Sequence, residues 1–422
     1  MARRTTGREI RVGVLGVGRG RIFARHAESA GLKLVALCDY WKEGVEEAGR
    51  ALKVAAYTDF EEFLAHDMDA VILSNYFHEK TPFAVRALRA GKDVMSETIP
   101  SFTLGEAAQL VDAVEKSGQI YMFAENYPYL NYNQEMRRLY LQGRIGEFVY
   151  GEGEYVHCFD PVNANLLAVG PNHWRNWVPA TYYSTHAMAP IMFITETWPV
   201  QISAFVLPHS MGLKDPSVRL TARRSDLASI MMVRMDNGAY AKLLQVTLRG
   251  KRIWTRIHGT EGQMENLRNG EWHLLNVRRE QYLKKSPEPD DVIYQPRFPV
   301  HHELAMRHDG CDFFMNYHFA RAIRSRKQPF LDVYRAAAMS AVAIQGYRSA
   351  LAGSVPVEIP DFRRPAVRRR FRNDHWSADP AKRGPGQPWP SVEGNVKPDP
   401  RGLAFARRVW DRKRKTYFEL GE

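Results

Sequence analysis

Residues Glu9–Arg21 read EIRVGVLGVGRGR, and this stretch decides the fold. Glu9 to Leu15 reads as a buried strand. It runs straight into Gly16-Val17-Gly18-Arg19-Gly20-Arg21, and a helical pattern follows through Ala30. Strand, glycine turn and helix, in that order, are the context that gives a glycine fingerprint meaning. Gly16 permits the tight turn, Gly18 lets a pyrophosphate approach the backbone, and the helix N-terminus then faces the anion. The third glycine, Gly20, stands one place early, with Arg21 in the expected position. A second strand, Lys33 to Cys38, ends in Asp39, 21 residues after Gly18. A carboxylate there accepts from both ribose hydroxyls and repels a 2′-phosphate, which predicts NAD rather than NADP. The plainer alternative for Asp39 is a turn or helix-cap residue.

The alternation continues outward. Helices are expected over Thr58–Ala65, Thr81–Ala90 closed by Gly91, and Thr103–Lys116 closed by Gly118. Strands are expected over Ala70–Ser74, Asp93–Ser96 and Ile120–Ala124. This is a doubly wound parallel sheet of the Rossmann kind, and ligands of such sheets lie at the carboxyl ends of the strands. Those ends carry Asn75-Tyr76-Phe77-His78, Glu97-Thr98 and Glu125-Asn126.

A second informative stretch runs from Glu147 to His186. Its first part alternates as a strand, placing Val149, Gly151, Gly153, Tyr155, His157 and Phe159 on one side. Tyr155 and His157 therefore project together, beside two glycines that leave open space. Tyr183 and His186 share a face if their turn is helical. With Arg175 between the two Tyr/His pairs, the group suits a proton-moving, polyol-binding cluster; aromatic sheet packing and a satisfied helix-start histidine fit the same spacing.

Farther on, strands are expected over Pro199–Leu207, Leu227–Met235, Ala239–Leu248, Arg252–His258 and Trp272–Val277, with a hairpin at Asp236-Asn237-Gly238. Helices are expected from about His308 to Arg324 and from Val333 to Leu351. The fold class is α/β, with an N-terminal Rossmann sheet and a C-terminal α+β domain holding an open, mostly antiparallel sheet. The domains are 1–127, 128–362 and a basic Pro/Arg/Trp-rich tail, 363–422. An open sheet face favours a homo-oligomer.

The 422 residues, with 45% hydrophobic and 25% charged, suit a globular chain of two domains or a little more. The net charge of +12 raises nucleic acid as a partner. The tail alone has 16 Lys or Arg against 7 Asp or Glu, so the body carries only +3. No nucleic-acid motif accompanies the tail, which is expected to stay solvated or to wrap a neighbouring subunit. Three scattered cysteines, Cys38, Cys158 and Cys311, predict neither disulfides nor zinc. His301-His302-Glu303 with His308 lacks the HExxH spacing, so no metal is expected. No signal peptide or membrane span is read, and a cytoplasmic setting is expected.

The order GVLGVGRGR, CD, NYFH, AGKDVMSETIP and AENYPY resembles the Gfo/Idh/MocA oxidoreductases. Those carry Glu-Lys-Pro where this chain has Glu97 and Thr98, and an Asp…His pair where it has Tyr183-Ser184-Thr185-His186. The chain more closely resembles their NAD-dependent glycoside hydrolase branch, which includes bacterial α-N-acetylgalactosaminidases. The matching residues are Glu125-Asn126, Tyr155-Val156-His157, Trp174-Arg175, Tyr183 to His186, HDGCD around Asp309 and LDVYRAA around Tyr334. The resemblance implies NAD contacts at Gly20, Arg21, Asp39, Asn75, His78, Glu97, Thr98 and Asn126. It implies sugar contacts at Tyr155, Arg175, Tyr183 and His186, with Tyr183, His186, Tyr155 and His157 as candidate proton carriers. The implied activity is redox-neutral glycoside hydrolysis by transient C3 oxidation, C2 deprotonation, elimination, water addition and re-reduction. A net sugar or cyclitol dehydrogenase and a non-catalytic NAD- or sugar-binding protein are the alternatives.

Overall fold

The computed structural model describes residues 9–416 except 159, 248, 251, 269, 280–290 and 298–309. The first sheet contains β1 (Ile10–Leu15), β2 (Leu32–Cys38), β3 (Ala55–Tyr57), β4 (Ala70–Leu73), β5 (Asp93–Glu97) and β6 (Tyr121–Ala124). Their order is β3-β2-β1-β4-β5-β6, and every pairing is parallel. The AVIL of β4 and YMFA of β6 are buried throughout, as strands covered on both faces must be. Helices α1 (Gly20–Arg25), α2 (Lys42–Leu52), α3 (Phe60–Ala65), α4 (Lys80–Arg89) and α5 (Leu104–Ser117) link the strands. Thr103 caps α5 by accepting from the Glu106 N–H at 3.1 Å, while Glu106 accepts from the Phe102 N–H at 2.7 Å. Gly118 ends α5 in the left-handed region, at φ +66°.

The second sheet has nine strands: β7 (Phe148–Val156), β8 (Pro199–Leu207), β9 (Ala228–Met235), β10 (Tyr240–Val246), β11 (Arg252–Gly259), β12 (Gly262–Asn266), β13 (Leu275–Arg279), β14 (Asp291–Tyr294) and β15 (Val357–Glu358). Their order is β14-β13-β12-β11-β7-β10-β9-β8-β15, antiparallel except where β10 runs parallel to β7. The expected hairpin joins β9 to β10, with Gly238 at φ +87°. Helices α6 (Asn131–Leu141), α7 (Pro161–Leu166), α8 (Thr185–Thr195), α9 (His209–Gly212), α10 (Pro216–Arg219), α11 (Cys311–Ser325), α12 (Val333–Leu351), α13 (Pro365–Phe371) and α14 (Pro400–Thr416) complete the chain. Helix α12 packs on both β8 and α5 and ties the two sheets together.

Two expectations are corrected. The space beside Gly153 is not open: a Cβ there would lie 2.0 Å from the Ala187 carbonyl oxygen, so Gly153 lets the backbone of α8 rest on β7. The tail, through its described residues, does not stand free: it keeps many exposed side chains but packs on the body. Arg368 is buried and donates to Asp112 at 2.8 Å and to Glu115 at 2.6 Å on α5. Helix α14 lies on α7, where the Trp410 indole donates to the Asn165 carbonyl at 3.0 Å. Arg368 reads as solvent-facing because its counterions lie some 250 residues earlier. Helix α2 escapes the pattern because KEGVEEAGRAL buries only Val45 among its large apolar residues. Phe159 lies outside the described residues. Among the described residues no helix is long and apolar enough to cross a membrane.

Candidate active site

The glycine turn has the shape a dinucleotide needs. Gly16, at φ +94°, passes so close to β4 that a Cβ would sit 2.6 Å from the Ser74 oxygen. Nothing lies within 4 Å of where a Gly18 Cβ would be, so its approach side is clear. The early third glycine seals helix to strand: a Cβ on Gly20 would meet Val14 at 2.7 Å. Asp39 ends β2 and accepts from the Val17 N–H at 2.8 Å and the Trp41 N–H at 3.0 Å. Burial pushes its carboxyl up, while those N–H groups and the Arg21 charge pull it down. Asn75 has both amide atoms buried without a partner, as do Asn126 Oδ1 and His78 Nδ1. Unsatisfied polar atoms at the carboxyl ends of β4 and β6 fit a cofactor that supplies hydrogen bonds. His78 sits somewhat apart, its ring 5.0 Å from Trp177.

At the end of β5, Glu97 takes the Lys80 ammonium at 2.9 Å and lies 3.7 Å from Arg19. Burial acts to raise the Glu97 carboxyl, but Lys80 and Arg19 together hold it below the usual range. Lys80 also donates to the Thr98 carbonyl. Arg19 in turn grips Asp312 through both carboxylate oxygens, at 2.9 and 2.5 Å, which fastens α11 to the glycine turn. The sequence did not single out Lys80, Arg19 or Asp312.

The Tyr/His residues do converge. Because α8 rests on Gly153, His186 in its first turn comes 4.7 Å from the Tyr155 ring and 4.9 Å from Tyr183, centroid to centroid. Tyr127 stacks on the same imidazole at 4.5 Å. His186 Nδ1 donates to Glu125 Oε1 at 2.5 Å, and Glu125, at the end of β6, is fully buried. That bond leaves Nε2 as the basic nitrogen. Burial pushes the Tyr155 and Tyr183 phenols above their ordinary range, and the Arg175 charge opposes the rise in both. Arg175 lies 4.3 Å over Trp174 and 5.7 Å from the Tyr183 centroid. Phe77, just past β4, stacks on Trp174 at 4.4 Å and on Tyr183 at 5.5 Å. His157 is 5.3 Å from Tyr155 and lines the same pocket, which has a volume of about 310 Å³. Glu125 and Tyr127 are neighbours of the cluster that the sequence placed only within the AENYPY motif.

Among the described residues no group of three or more His, Cys, Asp or Glu is placed to hold a metal. His301, His302, Glu303, His308 and Asp309 lie outside them.

Comparison with known proteins agrees with this geometry. Residues 10–125 match the oxidoreductase family NAD-binding Rossmann fold of Gfo/Idh/MocA, and residues 211–368 match the glycosyl hydrolase 109 C-terminal domain. A glycosyl hydrolase family 109 protein from Saccharopolyspora erythraea is 25% identical, over 88% of this chain and 86% of its own. An α-N-acetylgalactosaminidase from Bacteroides fragilis is 22% identical, over 85% of this chain and 93% of its own. The solved structure of levoglucosan dehydrogenase with NADH and L-sorbose shares the fold, with a TM-score of 0.70 and 18% identity over 84% of this chain and all of its own. The chain thus joins the NAD-binding Rossmann domain of the Gfo/Idh/MocA oxidoreductase family to the C-terminal domain of glycosyl hydrolase family 109.

Proposed function

We propose that the protein is an NAD-dependent glycosidase that cleaves a glycosidic bond without net oxidation. The observation that carries this reading is the buried Glu125–His186 pair enclosed by Tyr127, Tyr155 and Tyr183, the last two of which line the pocket. Ordinary glycosidases work with two carboxylates astride the scissile bond. The carboxylates lining this pocket are committed elsewhere. Asp160 caps α7 by accepting from the Val162 N–H at 2.9 Å, and Asp215 caps α10 through the Ser217 N–H at 2.8 Å.

Asp39, Asn75, Glu97, Thr98 and Asn126 would hold NAD, which would supply reversible hydride chemistry at the sugar C3. The protein supplies everything else. A carbonyl at C3 acidifies the C2 proton, so a base beside C2 permits elimination of the C1 substituent. His186 Nε2 can hold that proton, with the Glu125 carboxylate stabilising the imidazolium. Tyr183, its phenol kept near Arg175, and Tyr155 can relay protons at the C3 hydroxyl and the leaving oxygen. Arg175 orients the ring hydroxyls. Water adds at C1 as a proton returns to C2, and return of the hydride to C3 would restore the sugar with no net oxidation.

The test is turnover of a glycoside in deuterium oxide with NAD. Leaving group should appear without steady growth of NADH absorbance, and the released sugar should carry deuterium at C2. Stoichiometric NADH with an unlabelled keto-sugar would establish a dehydrogenase instead. We also infer a homo-oligomer, because Phe205, Ile230 and Tyr240 stand exposed on the sheet face opposite Tyr155.

A further inference from the structure

The outer half of the pocket has a charge with no partner. Arg223, between α10 and β9, donates from Nη1 to Thr247 Oγ1 at 2.8 Å and from Nε to Ser225 Oγ at 3.3 Å, both neutral hydroxyls. Among the described residues no carboxylate lies within ion-pairing distance of it. Its nearest acidic neighbour in sequence, Asp226, is taken up by the Ser391 hydroxyl at 2.6 Å and by the N–H groups of Val392 at 3.0 Å and His209 at 3.2 Å. Burial pushes the Arg223 guanidinium down to about 10, against the pull of the Asp226 charge. Arg249, at the rim, is matched by Asp215 at 3.2 Å. Arg175 has aromatic faces for company and, among the described residues, no carboxylate within ion-pairing distance.

A guanidinium packed into a pocket wall with only neutral hydroxyls to donate to is costly, and such charges are kept where a ligand completes them. The surrounding geometry gives the ligand's position. Gln245 on β10 pairs directly with Tyr155 on β7, so the two side chains share a face. Thr247 lies two residues farther along, about 7 Å at strand spacing. Gln245 is buried, and its Oε1 has no partner. The pocket thus runs from Tyr155, against which His186 packs, past Gln245 to Thr247 and Arg223, a span of about one pyranose ring.

We propose that Arg223, with Thr247 and Gln245, forms an anion subsite, and that the preferred substrate is a glycoside carrying a carboxylate, sulfate ester or phosphate ester. The planar guanidinium fork matches the paired oxygens of each of these groups, which share one recognition chemistry. This rests on the glycosidase reading for the word glycoside, and on the pocket alone for the anion.

The experiment is a panel of aryl glycosides and disaccharides assayed with the NAD-loaded enzyme. Matched members are neutral, uronate, sulfated or phosphorylated, with the charge on the glycon in one arm and on the aglycone in the other. Acidic members should be favoured in kcat/KM by about 10- to 100-fold, the range of a charge-assisted hydrogen bond, with the preference falling as salt rises. Arg223→Met should bring acidic and neutral members to within about threefold of each other, while Arg223→Lys should keep part of the preference. Should Arg223→Met fail to fold, the wild-type preference and its salt dependence still decide. Neutral members cleaved as well as acidic ones would overturn the subsite and leave the glycosidase reading standing. Calorimetry separates the opposite case: acidic sugars bound through Arg223 with no glycoside cleaved would keep the subsite and remove the glycosidase reading.

Discussion

Glu125→Gln isolates the pair on which the mechanism turns. The carboxylate is fully buried and accepts from His186 Nδ1 at 2.5 Å. Glutamine keeps the shape, and its amide oxygen still accepts from Nδ1–H. It loses the charge assistance, which separates a bond worth about 1.5–3 kcal/mol from one worth about 0.5–1.5. That loss alone is about tenfold in rate. A second loss comes from the amide's other orientation, in which its NH₂ faces Nδ1, moves the proton to Nε2 and removes the base from the sugar side. Changing the orienting acid to its amide in a serine protease costs about 10⁴-fold through the same tautomer error. We expect a fall in kcat of about 10²- to 10³-fold, between these limits. The enzyme should still bind NAD, because Glu125 contacts His186 and the Tyr127 N–H rather than the glycine turn. Steady-state kinetics, NAD calorimetry and a melting curve should therefore separate, with kcat alone collapsing. In deuterium oxide, exchange at C2 should slow in step with leaving-group release. If Glu125→Gln keeps kcat within about threefold, His186 is not a base oriented by this carboxylate, and the tyrosines must carry the proton without it.

Other outcomes follow from the same contacts. Asp39→Asn keeps one backbone acceptor but removes the charge, so NAD affinity should fall about tenfold and the discrimination against NADP should shrink; calorimetry showing a wild-type preference for NADP would refute the role given to Asp39. Trp410→Ala should strip a support from α7, whose residue Ala164 lines the pocket, and raise KM far more than it changes kcat; unchanged KM would mean that the tail braces nothing at the site. Phe205→Glu should lower the molar mass seen by light scattering if the exposed sheet face pairs copies of the chain; an unchanged mass removes that face as the interface.

The Rossmann half was legible because its signals are local. Buried strands such as AVIL and YMFA, and glycines that end helices, show themselves within a few residues. The second sheet was legible strand by strand but not in its order, since nothing in the alternation of β7 announces that its parallel neighbour is β10, some 90 residues later. The site divides in the same way. Tyr155, Arg175, Tyr183 and His186 could be singled out, but what brings them together is Gly153. The sequence presented Gly153 as vacant space, whereas it is the contact point of α8. Glu125 stood in plain view as part of a motif, yet its bond to His186 crosses 61 residues, a separation no spacing rule reaches. Arg223 gave no signal, because an arginine after a helix reads as a solvated charge until the absence of a counterion around it is seen.

Position 98 connects the oxidoreductase ancestry of the Rossmann half to the proposed hydrolytic chemistry. The oxidoreductases that the sequence resembles place a lysine there, where it can exchange a proton with a substrate hydroxyl. This chain has Thr98, but it has not lost the ammonium: Lys80, at the start of α4, reaches Glu97 at 2.9 Å and the Thr98 carbonyl from behind. Lys80 is 2% exposed, and burial pushes its ammonium below the ordinary lysine range against the pull of Glu97. An ammonium held by a carboxylate and a carbonyl, and not itself part of the pocket lining, is suited to fixing Glu97 rather than to meeting substrate. The proton work then has to fall on groups that do border the pocket, and those are Tyr155, Tyr183 and His157, with His186 packed against both tyrosines. A tyrosine and imidazole cluster with several proton positions suits a cycle that must remove a proton beside a carbonyl, give one to a leaving group and restore both, whereas a single lysine suits one proton moved once. On this argument the exchange of lysine for threonine and the gathering of tyrosines around His186 belong to one change of chemistry.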